Sequence, residues 1–229
     1  RWVKRTAESS GNDEVDLIVV TEPSKEELEL AKQKGVELEV IPVVKEGFVF
    51  YVNAENKIES LTKDQIQGIY SGEITNWKQV GGEDMEIKPF QRPTNSGSQT
   101  GMLSLVMKDK KLMEPLKENM VATMAEIINL VSSYDNGKAS IGYSYFYYAT
   151  TMYEGIDKTV ASNIKLIGID GVKPSYKTIQ DGTYPYNTAY YIVINKADDE
   201  NSASRKLANL MLSKRGQQVA KEAGYVPVK

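Results

Sequence analysis

The chain has 229 residues, of which 41% are hydrophobic and 26% charged, and its formal net charge is −3. This length predicts roughly one or two domains with a substantial core, and the composition is that of a soluble globular protein. Lysine and arginine are interspersed among acidic residues, so no broad basic field predicts a nucleic-acid partner. No apolar run approaches the roughly eighteen residues of a membrane span.

Cysteine and histidine are both absent, which excludes thiol nucleophiles, disulfides, imidazole bases and the usual zinc sites. No pair of carboxylates or lysines stands in a setting that argues for catalysis. We therefore expect no enzyme, no cofactor and no metal, and catalysis by carboxylates or lysine stays the open alternative. Residues 1–5 are not followed by an apolar stretch and form no signal peptide, so we expect any export signal or lipid anchor upstream of this chain.

The chain begins with a predicted strand, turn and helix. Residues 15–20 form a short, mostly apolar run that is rich in β-branched residues and is typical of a buried parallel strand. Ser24, followed three residues later by Glu27, is a capping-box signature for a helix. Gly35 predicts the end of that helix.

Two further strands and a helix follow. Residues 36–44 alternate apolar and polar side chains and residues 47–52 are almost continuously apolar, so each run predicts a strand. Thr62 or Asp64 can cap the start of a helix, which the Ser-Gly pair at residues 71–72 ends.

The most informative stretch follows a predicted strand at residues 85–90. It is residues 92–98, Arg-Pro-Thr-Asn-Ser-Gly-Ser, which we call the anion loop. The apolar residues 102–107 that come next predict a helix. The free N–H groups and the dipole at the start of a helix favour a negative charge, so the loop predicts a site for a small oxyanion.

The side chains of the loop support the same interpretation. Arg92 offers a planar fork of donors that matches two oxygens of a phosphate or carboxylate. Ser96 and Ser98 can donate from rotatable hydroxyls, and Gly97 lets the backbone approach a ligand. The alternative is a polar loop in which Ser96 or Ser98 merely caps the following helix.

Aromatic residues are frequent after the loop. Tyr143, Tyr145 and Tyr147 share one face if their segment is a strand, and a row of rings can stack nucleic-acid bases. We favour packing and site lining instead, because no basic residues surround them. Trp77 is likewise interpreted as a packing residue that anchors its loop.

The remaining elements are a helix at residues 120–132, a strand at 164–169, a polar connection at 174–182, a strand at 189–194, and a helix at 202–223 that Gly216 interrupts. This alternation of strands and helices predicts an α/β protein with mostly parallel sheets.

Several segments resemble one known family. Arg92-Pro-Thr-Asn-Ser96-Gly97-Ser98 resembles the arginine, short spacer and Ser-Gly-Thr of the phosphate-binding solute receptors that feed ATP-driven phosphate importers. Residues 61–82, 141–145 and 181–191 are similar to further landmarks of that family. Their order and spacing match over residues 14–228. Each motif alone is weak, whereas four in register are a strong signal.

The resemblance implies a two-lobed fold of the type II periplasmic-binding-protein class. Lobe 1 is expected to comprise residues 1–53 and 188–229, and lobe 2, which contains the anion loop, residues 54–187. Family members begin with a strand and a Gly-Ser-Thr-like loop that supplies part of the anion site. Nothing before Asp16 matches it, so we expect the fold to lack its N-terminal strand in this chain.

The resemblance also implies the function. It is that of a monomeric extracytoplasmic receptor, a cell-surface lipoprotein or a periplasmic protein of a bacterium, that binds inorganic phosphate or a similar oxyanion between its lobes for an ABC transporter permease. The implied ligand-binding residues are Thr21, Arg92, Ser96, Gly97 and Ser98. Some members carry an aspartate where Thr21 stands, and a hydroxyl does not enforce a protonated ligand as that carboxylate does. The alternative for Thr21 is a plain turn residue at the end of the strand, with no ligand role.

An alternative function follows from two differences from the family: Thr21 stands where some members have an aspartate, and no Gly-Ser-Thr-like loop is matched. The fold can serve an extracellular interaction or sensory domain that binds another oxyanion, a protein partner or no ligand.

Overall fold

The structure, a computed structural model, describes residues 15–94, 96–133 and 137–229 apart from the side chain of Glu154. Residues 1–5, for which no signal peptide is predicted, lie outside the described residues. The expected lack of an N-terminal strand concerns the same part of the chain and stays a prediction. In the part of the chain that the structure describes, no helix combines the length and the apolar character that a membrane crossing requires.

The described residues divide into two compact units. Unit 1 comprises the chain up to Glu46 together with Thr188–Lys229, and unit 2 comprises Gly47–Asn187. The lobe boundaries that the sequence predicts, at residues 53 and 187, stay a prediction.

The strands are, in chain order, β1 Leu17–Val20, β2 Leu38–Asn53, β3 Ser60–Leu61, β4 Lys88–Pro89, β5 Ser140–Tyr145, β6 Ile164–Leu166, β7 Gly168–Ile169, β8 Asn187–Asn195 and β9 Val226–Pro227. The α-helices are α1 Lys25–Gln33, α2 Lys63–Ser71, α3 Gly97–Gly101, α4 Met124–Ser132, α5 Tyr153–Ile156, α6 Lys158–Ser162, α7 Tyr176–Gln180, α8 Ala203–Leu212 and α9 Lys214–Glu222. Met102–Met107 and Tyr148–Met152 are π-helical, and short 3-10 helices span Trp77–Val80, Lys117–Asn119 and Gly137–Ala139.

The helix ends confirm the capping signals of the sequence. The Ser24 hydroxyl accepts a hydrogen bond from the Glu27 N–H at 3.2 Å, and the Glu27 carboxylate accepts one from the Ser24 N–H at 3.0 Å. Thr62 caps α2 in the same way. That helix ends at Gly72, whose φ of 83° lies in the left-handed region that glycine adopts without steric cost.

The sheets are mixed, so the expectation of mostly parallel sheets is wrong. In unit 1, β8 lies between β1 and β2, and the pairs β1–β8 and β2–β9 are antiparallel. In unit 2, β5 and β6 pair antiparallel with β2, whereas the pairs β4–β5 and β3–β7 are parallel. The alternation of strands and helices does not determine the direction in which each returning strand enters, and most of those that pair with β2 run against it.

The strand β2 also replaces two predicted strands. Residues 36–44, which alternate, and residues 47–52, which are almost continuously apolar, are predicted as separate strands, yet Leu38–Asn53 is one strand. Gly47 serves close packing here, because a Cβ at this position would stand 2.8 Å from Cδ1 of Ile179. A glycine inside a strand pattern often marks such a close approach.

Three further predictions need correction. The polar connection at residues 174–182 contains the helix α7, and the helix expected at 202–223 is two helices that meet at Ser213. Gly216 lies inside α9, where a Cβ would come within 2.2 Å of the carbonyl oxygen of Leu210. The tyrosine-rich strand ends at Tyr145, so Tyr147 does not continue its face.

An aromatic core supports β5 in unit 2. Phe48 and Phe50 on β2 and Tyr70 on α2 surround Tyr143, with ring centroids 5.4 to 6.2 Å from its own. All four side chains are fully buried. Trp77 is also fully buried, and its Nε1–H donates to the carbonyl oxygen of Ala139 at 2.9 Å, which confirms its packing role.

Candidate anion-binding site

The anion loop connects β4 to α3 in unit 2. It carries four of the five predicted site residues, Arg92, Ser96, Gly97 and Ser98, within seven positions of the chain. The fifth, Thr21, lies in unit 1 just after β1 and is half-buried. The assignment of all five residues to a ligand stays a prediction. The burial and hydrogen bonds of the loop concern only the first four, because Thr21 is not part of the loop.

Ser96 caps the helix that follows the loop. Its hydroxyl oxygen accepts a hydrogen bond from the Gln99 N–H at 3.2 Å, and its carbonyl oxygen accepts from the Thr100 N–H at 3.0 Å. Ser96 therefore does cap the helix, and its further assignment to a ligand stays a prediction. Its hydroxyl hydrogen remains a donor in principle, because an oxygen that accepts can also donate.

Ser98 does not cap the helix. Its side chain is only 4% exposed, and its Oγ has no hydrogen-bond partner among the described residues. Leaving a hydroxyl buried without a partner costs roughly 1–3 kcal/mol. A group placed at this cost is a candidate for a contact with a ligand.

Arg92 also has buried donor atoms without a described partner, and its side chain is positively charged. Its Nε and Nη1 atoms are both buried and, within the described part of the chain, neither has a hydrogen-bond partner. Burial lowers the pKa of the Arg92 guanidinium from its ordinary value, while the nearby tyrosines, led by Tyr143, and the carboxylate of Glu126 act in the opposite direction. Arginine nevertheless keeps its charge in proteins. The loop thus holds a partly desolvated cation whose donors are available to an oxyanion.

Two tyrosines of β5 hold the loop through hydrogen bonds to its backbone. The Arg92 N–H donates to the Tyr143 hydroxyl at 3.0 Å and to Gln99 Oε1 at 3.2 Å, and the Tyr145 hydroxyl donates to the carbonyl oxygen of Gly97 at 3.0 Å. Sequence reasoning missed Gln99 and the function of the tyrosine hydroxyls. The alternation that placed Tyr143 and Tyr145 on one face was the available signal, although nothing local showed that this face meets the loop.

A large cavity lies elsewhere. It occupies about 870 Å³ in unit 1 and is lined mainly by apolar side chains, among them Val43, Leu210 and Val219. None of the predicted site residues lines it. A small tetrahedral anion needs converging donors more than volume, so we assign the candidate site to the anion loop. The described residues hold no cluster of acidic residues that could bind a metal ion.

Comparison with known proteins identifies the class. A family model described as the PBP superfamily domain matches residues 9–215, and the chain belongs to this family. It is 29% identical over 182 residues to the phosphate-binding protein PstS of Bacillus subtilis (strain 168), which covers 80% of this chain and 55% of the relative. It is 26% identical over 213 residues to PstS of Borreliella burgdorferi, covering 90% of this chain and 70% of that relative.

Solved structures show the same fold. The structure of a putative phosphate ABC transporter substrate-binding protein from Clostridium perfringens, with bound phosphate, superposes with a TM-score of 0.74 at 22% identity. The match covers 99% of this chain and 83% of that one. The α/β fold of the type II class is thereby confirmed. The chain is a distant homologue of the phosphate-binding proteins PstS, and it spans about half the length of the Bacillus relative.

Proposed function

We propose that this protein is an extracytoplasmic solute-binding protein that binds inorganic phosphate at the anion loop for import by an ABC transporter. The observation that carries the proposal is that three buried donor atoms of the loop, Nε and Nη1 of Arg92 and Oγ of Ser98, have no hydrogen-bond partner among the described residues. A native protein rarely leaves such groups unpaired, and those it does leave call for an explanation. An oxyanion supplies the missing acceptors. The names of the relatives support phosphate as that oxyanion.

The chemistry of the loop suits a small tetrahedral anion. The Arg92 fork can contact two oxygens at once, and hydrogen bonds to charged groups are stronger than neutral ones. The Ser98 hydroxyl and the N–H groups of Gly97 and Ser98, which precede the Gln99 N–H that the Ser96 cap uses, add neutral donors around the same short segment. We include Thr21 as a further ligand on the basis of the family resemblance. Its hydroxyl can donate or accept, so the proposal covers both protonation states of phosphate.

Calorimetry of the purified chain tests the proposal. The protein is dialysed exhaustively and titrated with inorganic phosphate, sulfate and glycerol 3-phosphate in parallel. We expect saturable heat with phosphate and weaker binding of the organic ester, whose extra group needs additional room. An absence of heat and of any thermal shift with phosphate would refute the proposal, and the alternative of an interaction or sensory domain would then be preferred. Equal affinity for sulfate would show that the site binds tetrahedral oxyanions in general and does not select phosphate.

A further inference from the structure

A buried triangle of hydrogen bonds connects β5 to the anion loop. The Arg92 N–H donates to the hydroxyl oxygen of Tyr143 at 3.0 Å and to Oε1 of Gln99 at 3.2 Å. The Tyr143 hydroxyl donates to the same Gln99 Oε1. Tyr143 is 0% exposed and Gln99 is 5% exposed. Each of the three groups is therefore held by the other two, away from water.

The amide of Gln99 is oriented by a second glutamine. Gln99 Nε2 lies 3.5 Å from Oε1 of Gln91, which it faces as a donor, and Gln91 Nε2 donates to the carbonyl oxygen of Met113 at 3.0 Å. This direction leaves Oε1 of Gln99 as the acceptor toward the loop. Burial raises the pKa of Tyr143 well above its ordinary value, so its phenol stays protonated and donates.

We infer that Tyr143 and Gln99 are positioning residues for the anion loop, which hold the backbone of Arg92 so that its guanidinium meets the ligand. The inference rests on the proposed function. The first residue of α3 is held in a similar way, because the Tyr145 hydroxyl donates to the carbonyl oxygen of Gly97 at 3.0 Å. A network that orders a site before the ligand arrives raises affinity because less freedom is lost on binding.

Tyr143→Phe tests the inference with little risk to folding. The ring keeps its contacts with Phe48 and Tyr70, whose centroids lie 5.4 and 5.7 Å away, and only the hydroxyl is removed. The matched control is Tyr153→Phe, which removes another buried tyrosine hydroxyl of unit 2, one that donates to Asn129 Oδ1 at 2.6 Å. Gln99→Met is the second variant, since it keeps the side-chain length without the amide.

Two measurements are made on each variant: phosphate affinity by calorimetry, and hydrogen exchange of the Arg92 amide by NMR in the ligand-free protein. We expect Tyr143→Phe and Gln99→Met each to weaken phosphate binding about two- to tenfold and to speed exchange of the Arg92 amide by a comparable factor. Tyr153→Phe is expected to change neither. The double variant should lose less than the product of the two single losses, because both substitutions break one shared network.

The results separate this inference from the proposed function. If the wild-type chain does not bind phosphate, the proposed function fails, while the exchange rate of the Arg92 amide still decides whether Tyr143 and Gln99 order the loop. If phosphate binds but the exchange rate is unchanged in both variants, the two side chains do not position Arg92 and the inference is overturned. Unchanged affinity together with faster exchange would overturn it as well, since the ordering would then be irrelevant to the ligand.

Discussion

The hydroxyl group of Tyr145 donates a hydrogen bond to the carbonyl oxygen of Gly97, at 3.0 Å. The same hydroxyl lies over Gly101 at the other end of α3, where a Cβ would stand 2.9 Å from it and 3.0 Å from Cε2 of Phe48. The helix that follows the anion loop therefore lies as close to β5 and β2 as a glycine permits. Its position depends on the absence of one side chain at residue 101.

Gly101→Ala should destabilise the protein and weaken phosphate binding together. Alanine gains up to about 1 kcal/mol of helix propensity over glycine, whereas overpacking a well-packed core costs about 1–3 kcal/mol. The cost prevails because Phe48 is fully buried and cannot move aside easily. We expect a net loss of about 1 kcal/mol in the free energy of unfolding, measured with urea, and a weaker phosphate affinity by calorimetry.

Gly155→Ala is the control for that substitution. Gly155 also lies in a helix, α5, but a Cβ there meets nothing within 4 Å. The variant should be as stable as the wild type or more stable by up to about 1 kcal/mol, with the same phosphate affinity. If Gly101→Ala behaved like this control, the close packing of α3 against Phe48 would be contradicted.

Arg92→Ala should weaken phosphate binding by about 1.5–3 kcal/mol, the range for hydrogen bonds to charged groups. Arg92→Lys keeps the charge but not the fork, so part of the loss should persist. The control is Arg215→Ala, which removes the same charge from an exposed position in unit 1. Calorimetry with phosphate measures all three. Equal affinity of the Arg92→Ala variant and the Arg215→Ala variant would show that the loop is misassigned.

Ser98→Ala and Thr62→Ala should have opposite signatures. The Ser98 hydroxyl is buried without a partner in the described structure, so its removal should weaken phosphate binding by about 1 kcal/mol while leaving the ligand-free protein equally stable or more stable. Thr62 caps α2 and accepts from the Gln65 N–H at 3.1 Å, so its loss should cost about 0.5–2 kcal/mol of stability and no affinity. Urea unfolding measures the stability of each variant, and calorimetry measures its phosphate affinity. A Ser98→Ala variant that loses stability but not affinity would reverse the assignment of this hydroxyl.

The sequence predicted what depends on neighbouring residues. The caps at Ser24 and Thr62 and the helix end at Gly72 involve groups three or four positions apart, and their patterns were readable. The direction of strand pairing was not, because it depends on the side from which distant segments return to β2. The contact of Gln99 with Tyr143 joins residues 44 positions apart and leaves no local signal.

The candidate site shows the same division. Arg92 and Ser98 were chosen for their chemistry and for their place before a helix, both of which are visible in the sequence. The burial of their donor atoms with no partner in the described part of the chain is a property of the fold and had to come from the structure. Leu210 and Val219, in the segment predicted as one helix at residues 202–223, are exposed although both are apolar, since exposure depends on what covers a face.

Glu59 should make stability depend on acid pH. The ammonium groups of Lys165 and Lys173 donate to its carboxylate and hold its pKa down at about 2. Because this folded-state pKa lies below the unfolded value of about 4.3, the stabilisation is complete above that value and is lost as the pH falls toward 2. The carboxylate is exposed, so screening limits the effect to less than about 1 kcal/mol.

Glu59→Gln should therefore flatten the fall in the free energy of unfolding between about pH 5 and pH 2, measured with urea at low salt. The control is Glu118→Gln, at an exposed position in a 3-10 helix, which should leave that fall unchanged. Identical pH profiles for the two variants would show that the lysines do not hold Glu59 in solution.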